Sequence, residues 1–256
     1  MAWNPDQYLK FAQPRFRPAQ DLLAHIDAED PQVIYDLGCG TGSGTQLLAL
    51  RWELATIIGV DDSQEMLGQA ARQQSRITWQ QQSVAAWIPA QPADLIFSNA
   101  ALHWLPDHSI LFPRLMGLLA PGGVLAVQMP RNFGAPSHTL IAEAIRGGPW
   151  RSKLEHLLRS APVGDPVFYY ELLAPSASSI DIWETEYLQV LEGKNPVKEW
   201  TKGTWLKQFL DPLDITERSA FEEDYAWRVE SAYPPQPDGK TLFPFRRLFM
   251  VVRKKC

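Results

Sequence analysis

The segment Asp36-Leu37-Gly38-Cys39-Gly40-Thr41-Gly42 constrains this 256-residue chain more than any other. It continues the apolar run Val33-Ile34-Tyr35, which reads as a buried strand, and it leads into Thr45 to Trp52, which reads as a helix. A strand that ends in alternating glycines and passes directly into a helix has a physical use. Without Cβ atoms the loop lets a ligand approach the backbone, and the helix N-terminus offers N–H groups that have no intrahelical partner. A second β-branched strand, Thr56-Ile57-Ile58-Gly59-Val60, then ends at Asp61. That is roughly 20 residues beyond the loop, where a carboxylate can accept both hydroxyls of a ribose. A dinucleotide loop of the G-x-G-x-x-G type needs a third glycine at position 43, and Ser43 stands there instead.

The first half of the chain keeps alternating strand and helix signals, which argues for βαβ units and a parallel sheet. Ser63 caps an expected helix from Gln64 to Gln74, and a third strand is expected over Arg76 to Gln80. Asp94 to Ser98 reads as the fourth strand. Pro106 is expected to open a helix to about Leu119, stopped by Pro121-Gly122-Gly123, and Gly123 to Met129 reads as the fifth strand. The second half differs. Gly147-Gly148-Pro149-Trp150 and Ala161 to Pro166 are turn-rich. Strands are expected over Ile180 to Val190 and Phe243 to Val252, with helices over Val197 to Leu210 and Glu217 to Ala232 between them.

Composition excludes several function classes. The formal net charge is −5, which argues against a general nucleic-acid or membrane-surface binder, since either needs a basic face. The two cysteines, Cys39 and Cys256, define neither a disulfide framework nor metal-ligand spacing, so no metal is expected. The first residues are polar and the longest apolar runs are far short of a membrane span, so a soluble cytoplasmic protein is expected.

The pattern Asp-x-Gly-x-Gly-x-Gly resembles motif I of the class I S-adenosylmethionine methyltransferases, and Asp94 to Trp104 resembles their motif IV region. The resemblance implies an α/β, Rossmann-like fold. Its seven-stranded, mostly parallel sheet would run in the order 3-2-1-4-5-7-6 with the last strand antiparallel, helices on both faces and a helical lid or insertion. It implies S-adenosylmethionine as cofactor. The loop residues Gly38, Cys39, Gly40 and Gly42 would face its methionine part, Asp36 its amino group, and Asp61 its ribose. Asp62, Met66, Ser83, Val84, Asn99, Ala100 and Trp104 complete the implied cofactor set. Cys39 reads as a small buried loop residue, with no His or Lys nearby to make it a nucleophile. Trp104 either covers the cofactor or fills the core, and His103 either acts as a base or packs at the sheet edge. No Asn/Asp-Pro-Pro-Tyr follows the fourth strand, which argues against a nucleobase amino group as target.

Within that class, segments spread over nearly the whole chain resemble the trans-aconitate 2-methyltransferase family. These are Trp3-Asn4-Pro5, Tyr8-Leu9, Arg15 to Ala19, Trp104 to His108, Gly123 to Pro130 with Asn132, Asp181-Ile182-Trp183, Glu199-Trp200 and Arg247-Leu248-Phe249. The family forms a monomethyl ester of a tricarboxylate. A carboxylate is already ionised at neutral pH and attacks the sulfonium methyl without a base, so no catalytic acid or base is expected. Positioning falls to Tyr8, Arg17, Gln128, His138 and Arg247, with Asn132 and Lys207 added to the substrate-binding set. Residues 1–30 would form a lid segment, 31–147 the cofactor-binding core, and 148–256 the substrate-side insertion with the C-terminal strands. The partner would be a small anionic substrate, the state a monomer or weak homodimer.

The chain departs from the family at Ser83, where an Asp usually meets the adenine. It departs again at Arg131, Ala135, Gln189 and Lys207, where Asp, Glu, His and Arg are usual. Arg131 and Ala135 make the acid pocket more cationic, while Lys207 loses the bidentate fork of an Arg. Two other readings stand beside the small polycarboxylate. One is an O-methyltransferase for a larger or carrier-bound acid, its pocket shaped by Trp200, Trp205, Phe209, Phe221, Tyr225 and Trp227. The other is a non-catalytic S-adenosylmethionine-binding protein.

Overall fold

The computed structural model describes residues 12–72 and 76–256. Seven strands form one sheet in the order β3-β2-β1-β4-β5-β7-β6, as the resemblance implied. They are β1 (Val33–Leu37), β2 (Thr56–Asp61), β3 (Thr78–Gln81), β4 (Ala93–Asn99), β5 (Leu119–Pro130), β6 (Ala177–Leu191) and β7 (Thr241–Lys254). The pairs β1–β2, β1–β4, β2–β3 and β4–β5 are parallel, with Asp36 opposite both Gly59 and Phe97. β1 and β2 are short and lie inside the sheet, and their β-branched runs are buried almost throughout. That is what a strand covered on both faces requires.

The helices are α1 (Ala12–Ala24), α2 (Ser43–Arg51), α3 (Gln64–Ala70), α4 (His108–Leu118), α5 (Pro136–Gly147), α6 (Arg151–Leu154) and α7 (Pro166–Leu173). The remainder, α8 (Pro196–Lys202), α9 (Lys207–Leu210) and α10 (Ile215–Ala232), lie between β6 and β7, where the sequence places a helical insertion. The chain divides into two compact units. The larger comprises Arg15–Pro130, Pro162–Thr185 and Leu248–Cys256, and the smaller includes Arg131–Ala161 and Glu186–Arg247.

Several expected boundaries move, each for an identifiable reason. Pro106 does not open α4. Asp107, in the left-handed region at φ 54°, is the cap, and its carbonyl accepts from both Ile110 N–H and Leu111 N–H at 2.9 Å. The Pro121-Gly122-Gly123 stop does not precede β5 but sits inside it. Ala93 pairs with Leu119 and Leu95 with Val124, so the extra residues are absorbed as a bulge, with Gly122 at φ 74°. The single helix expected over Val197 to Leu210 is two, α8 and α9. Gly203 ends the first, and the Thr201 hydroxyl turns back onto the carbonyls of Val197 and Lys198. β3 begins at Thr78 rather than Arg76, whose guanidinium instead binds the carbonyls of Ala49 and Trp52 at 2.7 and 2.8 Å. α3 is shorter than expected, ending at Ala70, while α5 and α7 carried no helix expectation.

Candidate functional site

Four parallel strands end together in the larger unit, and the residues singled out there lie at those ends. The loop after β1 is tied to β2: Gly38 N–H and Cys39 N–H both donate to the Val60 carbonyl, at 2.8 and 3.1 Å. Gly42 N–H closes the turn onto the Cys39 carbonyl at 2.9 Å. Gly38, Gly40 and Gly42 all have positive φ. Their surroundings differ. A Cβ on Gly38 would run into Ala101, and one on Gly42 into the Trp79 ring, so at these two positions the fold itself needs glycine. A Cβ on Gly40 would meet nothing within 4 Å. The space there is open, as a loop that admits a ligand to its backbone requires.

Asp61 faces this loop. Its Oδ2 accepts from Gly40 N–H at 2.9 Å, and its Oδ1 accepts from Ser63 N–H at 2.9 Å. Burial raises its pKa, and the two backbone donors work against that rise. Each carboxylate oxygen has a further lone pair beyond the bond it already makes. Ser63 caps α3, its hydroxyl accepting from Met66 N–H at 3.3 Å, so Asp61 is not needed as the cap. Asp62 is exposed beside it, and Met66 is buried.

Asp36 is 2% exposed. Thr45 Oγ1 donates to its Oδ2 at 2.6 Å. Burial pushes the Asp36 carboxyl up to about 7; the Thr45 bond lowers it, and the charge of Asp61 raises it further. Cys39 is buried, and burial together with the Asp36 and Asp61 charges drives its thiol pKa strongly upward. It is therefore not a thiolate nucleophile.

At the end of β3, Ser83 begins a short 3-10 turn, Val84–Ala86, and its hydroxyl makes no capping bond. Arg114 of α4 holds this stretch, donating to the carbonyls of Val84 and Trp87 at 2.8 and 2.7 Å. At the end of β4, Asn99 Oδ1 is buried with no hydrogen-bond partner among the described residues. Ala100 has φ 55°, and its N–H donates to the Gln128 carbonyl at 2.9 Å. Trp104 is half-buried at the end of a 3-10 turn, with its ring tilted on His103 at 4.7 Å. Thr45, Trp79 and Arg114 also shape this site with no sequence signal to mark them, as does Ala101, which the motif IV resemblance spans without assigning it a role. Ala101, Trp79 and Arg114 act through Gly38, Gly42 and Val84, each 30 or more positions away, and Thr45 through Asp36 on the preceding strand.

The expected acid-binding residues are more dispersed. Gln128 is fully buried in β5 of the larger unit. Arg17 of α1, also in that unit, has a side chain 71% exposed and lies 3.8 Å from Asp21, one helical turn away. In the smaller unit Arg247 is 4% exposed, with its guanidinium over the Phe245 ring at 4.8 Å. Lys207 forms an i,i+4 pair with Asp211 at 2.9 Å. Asn132 and His138 are linked through Ser137. The His138 ring packs near Phe133 and Trp205, and burial lowers its pKa to about 4. Tyr8 lies outside the described residues. Trp200, Phe209, Phe221 and Tyr225 are buried and Trp227 is exposed. These five therefore do not wall an open apolar pocket. Among the described residues, no cluster of His, Cys, Asp or Glu is placed to hold a metal ion, and no helix is long and apolar enough to cross a membrane.

Comparison with known proteins gives a consistent result. A methyltransferase domain family matches residues 35–127, from β1 through β5. A trans-aconitate 2-methyltransferase of Azoarcus sp. (strain BH72) is 47% identical over 97% of this chain and 98% of its own length. Another, of Methylobacterium radiotolerans, is 43% identical, with 98% of each chain covered. Among solved structures, a protein of Bacillus halodurans described as a putative methyltransferase superposes with a TM-score of 0.60 at 12% identity, covering 94% of this chain and all of that one. A phosphoethanolamine N-methyltransferase 2 of Haemonchus contortus in complex with S-adenosyl-L-methionine gives a TM-score of 0.54 at 16% identity. The match covers 94% of this chain and 53% of that one. At such identities these two structures speak to the fold alone.

Proposed function

Because the chain belongs to the trans-aconitate 2-methyltransferase family, we propose that it methylates one carboxylate of trans-aconitate or a closely similar small polycarboxylate, with S-adenosylmethionine as donor. The observation that carries the cofactor side is the Asp61 carboxylate, bonded at once to the Gly40 and Ser63 N–H groups beside an open loop.

The residues fit such a donor. The unfilled space at Gly40 admits its amino-acid part. Asp61 retains lone pairs for two ribose hydroxyls, and the buried Asn99 Oδ1 is an acceptor awaiting a donor. Asp36 lies beside the loop to receive an ammonium. Ser83 and Val84 are at the adenine end, with Arg114 holding the Val84 carbonyl in place. Asp62, Met66, Ala100 and Trp104 flank these contacts. When bound, the sulfonium supplies an electrophilic methyl group.

The chain's own task is then positioning. The acceptor carboxylate is ionised without help, so no residue need take a proton. Its neighbours on the substrate need donors. Arg247 and Gln128, both buried, supply a charged fork and an amide, and His138 and Asn132 supply neutral donors. Tyr8, Arg17 and Lys207 complete the proposed set, with residues 1–30 as a lid that excludes water. We place the protein in the cytoplasm, as a monomer or weak homodimer, with a small anion and not nucleic acid as its partner. The test is incubation with labelled S-adenosylmethionine and a panel of di- and tricarboxylates. Base-labile methyl esters are expected, and the absence of ester on every acid would defeat the assignment.

A further inference from the structure

A chain of three hydrogen bonds in the smaller unit has a defined direction. Arg246 N–H donates to Asn132 Oδ1 at 3.2 Å. A backbone N–H only donates, so the amide oxygen of Asn132 must face it. The amide nitrogen therefore faces Ser137, and Asn132 Nδ2–H donates to Ser137 Oγ at 3.2 Å. Ser137 Oγ also lies 3.0 Å from His138 Nδ1. Ser137 is fully buried, and among the described residues its hydroxyl has only these two neighbours. One of them is a donor. Were Nδ1 also a donor, the serine proton would be buried with no acceptor. The hydroxyl must donate to Nδ1, and the imidazole proton sits on Nε2.

Ser137 has little freedom to break this order. Its N–H donates to the Tyr233 hydroxyl at 3.2 Å, and its carbonyl accepts from the Tyr225 hydroxyl at 2.8 Å. Both tyrosines come from α10 and its end, so the insertion clamps the first turn of α5 from outside. Phe133 and Trp205 border the His138 ring, at 5.1 and 6.1 Å between centroids.

We propose that Asn132 and Ser137 are positioning residues that hold His138 as the Nε2–H tautomer, so that it presents a neutral N–H donor to a carboxylate of the acid substrate. This rests on the reading of His138 as an acid-binding residue. It changes the role of Asn132 from direct substrate contact to action through Ser137. A neutral donor recognises a carboxylate by direction rather than by charge, and it withdraws little electron density from the oxygen that attacks. Among three carboxylates of one substrate, such a donor selects by geometry.

The experiment is 15N NMR of histidine-labelled protein with two variants. The wild type is expected to show His138 protonated on Nε2. Ser137→Ala should populate the Nδ1–H form and raise KM for trans-aconitate about tenfold, the loss of one well-placed hydrogen bond, with kcat changed little. Asn132→Asp, nearly isosteric, reverses the chain. The carboxylate accepts the Ser137 proton, Ser137 accepts from Nδ1–H, and the tautomer should invert. An Nδ1–H wild type, or an Asn132→Asp spectrum identical to wild type, overturns the proposal. His138→Ala with unchanged KM for the acid would instead overturn the acid-binding reading while leaving the tautomer result standing.

Discussion

Replacing Asp61 by Ala separates the proposed cofactor-binding role of this carboxylate from its structural one. In the free protein the side chain makes two bonds to backbone N–H groups, at Gly40 and Ser63. A hydrogen bond to a charged group contributes about 1.5–3 kcal/mol, but both donors here are near solvent and recover water once the carboxylate is gone. Burial of the charge, which raises its pKa, offsets part of what those bonds contribute. The stability loss of the free protein is therefore expected at about 1 kcal/mol. The bound state loses more. Two ribose hydroxyls lose an anionic acceptor in a site with less water, and the Gly40 loop loses the anchor that presents it. We expect the dissociation constant to rise by about 1–3 kcal/mol, or roughly 5- to 150-fold. Titration calorimetry with S-adenosylmethionine and with its demethylated product reads this directly, and a urea melt of the free variant reads the stability. Glu65→Ala, which removes the same charge from the first turn of α3, is the control for long-range electrostatics. A constant within twofold of wild type, in a variant that still folds, would refute the ribose assignment.

Three further outcomes follow from the same geometry. Gly40→Ala should fold with a loss of only about 1–2 kcal/mol for its left-handed φ, yet bind cofactor poorly, whereas Gly42→Ala, which drives a methyl into Trp79, should lose stability first. Paired urea melts and calorimetry would show equal binding losses in both if the loop were merely structural. Asp36 has its carboxyl near 7 in the fold against an ordinary 3.8, so the folded chain keeps a proton that the unfolded chain has released. Stability contributed by this group therefore falls as pH rises from about 4 to 7, and the difference in urea midpoint between wild type and Asp36→Asn should change across that window. A flat difference would show that the carboxyl titrates normally. Alkylation of the native protein by iodoacetamide, read by mass spectrometry, should label exposed Cys256 and spare buried Cys39; rapid labelling of both would contradict the burial of the loop thiol.

The class of fold, and the strand ends at which we place the cofactor, were readable in the sequence. β-Branched runs separated by amphipathic stretches imply a parallel sheet whatever the details. Alternating glycines after β1 and an acid after β2 mark the strand ends, because a tight loop and a lone carboxylate have few other reasons to recur at that spacing. Both are local patterns, legible along the chain. Which group meets which depends on how the chain folds. Asp61 reaches Gly40 across 21 residues, Thr45 turns onto Asp36, and Arg114 binds the Val84 carbonyl 30 residues away. The Pro121-Gly122-Gly123 stop misled for the same reason: it sits in a bulge between β4 and β5 that depends on how the two strands pair, and local propensity does not encode pairing. Pro106 misled for a local one, since the next residue, Asp107, takes the cap. The direction of the Asn132–Ser137–His138 chain lies further still from the sequence. It is set by one backbone N–H on β7, which fixes an amide, then a hydroxyl, then a ring proton, and only folding brings that N–H to its place.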